Sequence, residues 1–153
     1  MSMAIAVALH SMAAVVWVGG MFFAVLVLRP SAGALEPSDR LPLWGRVFEK
    51  FFPWVWASIV LLLASGYWMI FAGMGGFAEL SLPVNLMQGI GWLMVLIYLH
   101  LWFAPYARFK TALAAGDLPV AAANHNKIRY AVTANIVLGL INAIIGASGR
   151  FWS

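Results

Sequence analysis

Residues 51–78, FFPWVWASIVLLLASGYWMIFAGMGGFA, run for 28 positions without one Asp, Glu, Lys or Arg. A helix of about 20 apolar residues crosses the ~30 Å hydrocarbon layer of a bilayer, so this stretch is long enough to span it. Three further runs, at 1–28, 80–107 and 130–149, are equally free of charge. Together the four make up roughly two thirds of the 153 residues. Charged side chains account for 9% of the chain, against roughly a quarter in soluble domains. A soluble enzyme, a nucleic-acid-binding domain and a disordered chain are thereby excluded. The pattern predicts an integral membrane protein that crosses the bilayer four times.

The spans are placed at about 4–28, 51–73, 86–106 and 130–148, in one transmembrane domain covering residues 1–153. Helices are expected, because hydrocarbon offers no partner to an unpaired backbone group and alternating strand patterning is absent. The fold class is therefore all-α, a polytopic four-helix bundle. Loop 1 carries Arg29, Arg40, Arg46 and Lys50, and loop 3 carries Arg108, Lys110, Lys127 and Arg129, whereas the loop between spans 2 and 3 has only Glu79. Bases favour the cytoplasmic side, which puts both termini outside and accounts for the basic pI without any nucleic acid. A bacterial cytoplasmic (inner) membrane suits this pattern. Residues 1–28 lack a basic leader, so the first span reads as a retained anchor. Trp and Tyr gather near the span ends as an aromatic belt, and Pro42, Pro53 and Pro105 fall at span edges. A short helical pattern, Tyr106–Ala115, ends at Gly116-Asp117 and is expected to lie along the membrane surface. The chain has no cysteine, which removes disulfides, thiolate metal sites and iron–sulfur clusters.

An ionisable side chain inside a membrane is a functional candidate by default. His10 and His100 are the two such residues, about 9 Å and about 21 Å below the outer surface by the rise of a helix. His125 falls in loop 3, between two asparagines, and reads as solvated. Asn135, Gly139, Asn142 and Gly146 share one face of span 4, where glycines permit close approach and amides bond across the bundle. Asn142 matches the depth of His10 and is the expected acceptor for its second ring nitrogen. On span 1, Ala14 and Trp17 lie on the same stripe as His10, a small/aromatic groove suited to a flat cofactor. Met87 and Met94 approach from span 3, and imidazole with thioether is a sensible Cu(I) donor set. The cofactor residues are thus His10, Trp17, Asn142 and His100, and the metal set is His10, Met87 and Met94.

Span 1 reads Leu9-His10-Ser11-Met12-Ala13-Ala14-Val15-Val16-Trp17-Val18-Gly19-Gly20-Met21-Phe22-Phe23, followed by Leu28-Arg29-Pro30. This resembles the opening helix of the copper-resistance-D (CopD-like) membrane proteins. The likeness continues through Phe51-Phe52-Pro53-Trp54 and Gly66, then Phe103-Ala104-Pro105-Tyr106 with Arg108, and Ile128-Arg129 with Asn135 and Gly139. The His-x6-Trp-x2-Gly pattern is also similar to the HemJ-type protoporphyrinogen oxidases, whose span 1 histidine is associated with haem b. That family has a lysine where Met87, Gln88 and Gly89 stand here, and its third-helix histidine corresponds to His100. The resemblance implies a His10-centred haem or copper site. The leading expectation is a haem b electron-transfer protein working with a quinone or respiratory partner protein. The alternatives are a copper transport or tolerance protein, an accessory subunit of a larger complex or homo-oligomer, and a protoporphyrinogen oxidase-like enzyme.

Cysteines introduced singly at Ser38 and Ser81 test the orientation. Ser81 should react with an impermeant maleimide from outside, and Ser38 only after the membrane is opened. The reverse labelling would invert the bundle.

Overall fold

The computed structural model describes residues 2–152. Four long helices carry nearly all of it: α1 (Met3–Ala32), α2 (Pro37–Gly73), α3 (Leu82–Ala114) and α4 (Leu118–Phe151). Each is long and apolar enough to cross a membrane, and no strand occurs among the described residues. The protein is an all-α, multi-pass membrane protein. Ser2 caps α1 by accepting the Ile5 N–H at 3.3 Å, and Asp117 caps α4 by accepting the Val120 N–H at 3.1 Å. Prolines occupy the first turns of α2, α3 and α4, where no donor is missed. Gly116, at φ +72°, turns the chain between α3 and α4 in a conformation that a side chain would strain.

The helices outrun the expected spans, and the surplus lies mainly at the end that bears the basic residues. Of the two expected basic loops, only residues 33–36 and 115–117 are non-helical. The segment Ala107–Ala114 continues α3 and does not lie on the membrane surface. Its Phe109 and Ala112 are buried, with the Phe109 ring 5.7 Å from that of Phe48, so it packs on the bundle. Pro42 and Pro53 are inside α2. Pro30 and Pro105 accompany wide π turns, Ala24–Leu28 and Trp102–Tyr106. A proline removes one helical bond and crowds the carbonyl four residues back, and a wide turn relieves that clash.

α1 packs chiefly on α2, and α4 on α3, with α1 and α4 also in contact. Asn135 donates to the Met94 carbonyl at 3.1 Å and Asn142 to the Met87 carbonyl at 3.3 Å. The asparagine and glycine stripe of α4 therefore faces α3, as its spacing implies. α2 and α3 meet through large side chains: the Tyr98 hydroxyl donates to the Phe52 carbonyl at 3.2 Å, and the Trp92 indole to the Tyr67 hydroxyl at 2.7 Å. Towards the basic end the core is aromatic, with Trp44, Phe48, Phe52, Tyr98, Tyr106 and Phe109 all buried.

A Cβ on Gly139 would stand 2.7 Å from a Val18 methyl and 3.1 Å from the Met94 methyl. Gly139→Leu should therefore lower stability by about 1–3 kcal/mol or prevent assembly. Leu138→Phe, at a half-exposed position, should be tolerated. Denaturant unfolding in detergent checks this, and equal tolerance of both changes would contradict the α1–α3–α4 packing.

Candidate functional site

His10 is half-buried on α1, and α2 supplies its setting. Its Nδ1 lies 3.0 Å from the Ser65 hydroxyl oxygen. That hydroxyl has one proton, and gives it back to the Leu61 carbonyl one turn earlier, with the Leu62 carbonyl at 3.4 Å. With that proton on Leu61, the Ser65 oxygen is open to accept from His10, an arrangement in which Nδ1 carries the ring proton and Nε2 presents a bare lone pair. This is the arrangement of a ligating imidazole, whose other nitrogen donates to an oxygen. Gly66 makes room for the ring: a Cβ there would come within 3.3 Å of His10 Cε1. Ser65 is buried, at 3% exposure.

The oxygen beside His10 is thus that of Ser65 and not that of Asn142, whose amide oxygen has no partner among the described residues. Equal depth along a helix does not place two residues on facing sides. Trp17 is 3% exposed and packs edge-on to Tyr98 at 6.2 Å, so its ring closes the core and forms no slot beside His10. His100 is exposed on α3 and joins no site with His10. Met94 meets Gly139 beside Val18. Val18 is eight positions from His10, about 12 Å along the helix, so one ion cannot touch both Met94 and His10. Met87 lies two turns back towards Glu79, against Gly146, which brings it to the layer of His10. Amide oxygens of Gln88, Asn124, Asn135 and Asn142 are buried without a partner among the described residues.

A second cluster, at the basic end, escaped the sequence reading. His125 is not solvated: it stands on α4, half-buried, with its ring 5.1 Å from Trp44 and 6.0 Å from Phe48. It borders a cavity of about 560 Å³, together with Arg29, Arg40, Asn126 and Arg129. The arginines were visible as markers of membrane sidedness, and nothing in their spacing showed that three helices bring them together. Among the described residues there is no group of three or more His, Asp or Glu side chains placed to hold a metal ion.

Residues 45–148 match the family of copper resistance protein D (CopD). No curated protein and no solved structure matches the chain. The matched segment begins after His10 and includes Ser65 and Gly66, which meet its ring, as well as Met87 and Asn142. The match points to copper; the haem expectation receives no support from it or from the closed packing around Trp17.

Nitrogen-15 NMR of histidine-labelled protein should show His10 as the Nδ1-protonated tautomer. Ser65→Ala should shift it towards a mixture of tautomers while the helices stay folded. An Nε2-protonated ring in the unaltered protein would overturn the assignment.

Proposed function

The chain belongs to the copper resistance protein D family, and from that premise we propose that it handles copper ions within a bacterial inner membrane, holding Cu(I) on the Nε2 of His10. The observation that carries this reading is the Ser65 hydroxyl beside His10 Nδ1, a placement that favours the tautomer in which Nε2 is free for a metal. Cu(I) favours imidazole and thioether donors. Met87, in the same layer, is the candidate second ligand. The partnerless amide oxygens of Gln88 and Asn142 belong to that layer too, and buried acceptors of this kind suit a cation more than a neutral wall. Both termini facing outward would put the site about 9 Å beneath the outer surface, within reach of copper arriving from that side. Moving Cu(I) changes no oxidation state, so this reading needs neither a quinone nor a respiratory partner.

The purified full chain, reconstituted in nanodiscs, is titrated with Cu(I) against a chromophoric chelator. Stoichiometric binding is expected, and His10→Ala should abolish it. Ser65→Ala should weaken it about 10–100-fold, as losses around a ligand typically do. Met87→Leu should weaken it as well, and His100→Ala should leave it unchanged. A colourless protein that takes up copper agrees with the proposal. A Soret band together with no copper binding would overturn it in favour of haem.

A further inference from the structure

We propose that the cavity at the basic end binds the phosphate group of a ligand between Arg29, Arg40 and Arg129. These arginines come from α1, α2 and α4 respectively, so the helix packing itself assembles the cluster. The half-open cleft, about 560 Å³, is within the size range of a small-molecule site. No Asp or Glu lines it, although Glu36 and Asp39 lie close to Arg40 in the chain. Three guanidinium groups around one cavity repel each other, and an anion between them removes that cost. Each guanidinium presents a planar fork that matches two phosphate oxygens, which makes arginine the residue suited to phosphate recognition.

Sidedness alone accounts for bases at this end but not for their convergence. Arg46, Lys50, Arg108 and Lys127 serve sidedness equally well, and all four are exposed and outside the cavity. Arg40 and Arg129 are half-buried instead, with Arg29 exposed at the cavity's edge. The wall beside them is stiff. The His125 ring is wedged among Trp44, Phe48 and Phe109 at centroid distances of 5.1, 6.0 and 6.2 Å. Asn126 adds a neutral amide donor at the rim. The cavity lies where the helices leave the hydrocarbon, so the phosphate can belong to a lipid headgroup or to a solute in the water.

Two binding measurements on the purified full chain separate those sources. Inorganic phosphate is titrated by equilibrium dialysis, and lipid retention is followed by native mass spectrometry after exchange into mixed phosphatidylglycerol and phosphatidylcholine vesicles. Saturable phosphate binding identifies a solute site, and selective retention of phosphatidylglycerol identifies a headgroup site. In either case Arg40→Gln with Arg129→Gln should weaken binding at least about tenfold, since each charged hydrogen bond is worth that much. Arg46→Gln with Lys127→Gln removes the same charge outside the cavity and should have little effect. Arg40→Lys with Arg129→Lys keeps the charge, loses the forks and should weaken binding severalfold, which preserves the test if the glutamine pair fails to fold. No binding in either measurement, or equal loss in the two glutamine pairs, would overturn the proposal.

Discussion

Inside hydrocarbon a polar group has no water to fall back on, and the bundle is arranged around the few that this chain buries. Asn135 and Asn142 tie α4 to carbonyls of α3, and His10 ties α1 to Ser65 of α2. The same period governs both seams. Asn135 and Asn142, Gly139 and Gly146, and Met87 and Met94 are each seven residues apart. On the other seam Met3 abuts Gly73 and His10 abuts Gly66, again seven apart on each helix. A seven-residue repeat keeps the same face turned to its neighbour in a left-handed bundle, so a glycine contact recurs every two turns on both seams, joined each time by a polar bond on the α3–α4 seam and once, at His10, on the other. His10 is one position of this repeat that carries a titratable ring in place of an inert one.

What could be read from the sequence follows from that economy. The four spans were legible because the bilayer demands long charge-free runs, and the α4 stripe because helical spacing puts small and amide residues on one face. His10 stood out because so few polar groups share its environment. Its true partner did not. Serine is unremarked in a membrane helix, and depth counted along one helix carries no information about which side of the next helix faces it. The helices also run past the expected spans, since charged residues end a span without ending a helix. His125 looked solvated from its polar neighbours Asn124 and Asn126, while the aromatic rings that enclose it come from α2 and α3, far away in the chain.

The two halves of the bundle are held by different means. Near Glu79 the seams of α1 with α2 and of α3 with α4 use small contacts, glycine against methionine or histidine, while the rings at that end, Tyr67, Phe71, Phe77 and Trp92, lie towards the surface. At the basic end the contacts are large rings, Phe48 against Phe52 at 5.1 Å and Phe52 against Tyr106 at 4.7 Å. Such pairs add about 0.5–1.5 kcal/mol each beyond the area they bury. Lys110 lies over the Tyr106 ring at 4.8 Å, its stem covering apolar surface while its ammonium reaches the polar layer. The two π turns beside Pro30 and Pro105 also belong to this end. A stiff, ring-packed platform thus supports the arginine cavity, and the more loosely built half surrounds the histidine.

The surplus length of the helices makes the molecule lopsided. α2, with 37 residues, is about 55 Å long, so roughly 25 Å of it lies beyond a 30 Å hydrocarbon layer, most of it at the basic end. At the opposite end α2 and α3 are joined by the eight residues 74–81, and the molecule there is nearly flush with the membrane. If His10 holds an ion as proposed, a soluble metal carrier approaching that flat side would bring its own donor atoms to within about 10 Å of it without entering lipid. One approaching the other side is held off by the overhang, well outside the range of direct ligand exchange. On the proposed reading of His10, the shape alone would make the exchange of an ion with aqueous proteins strongly one-sided.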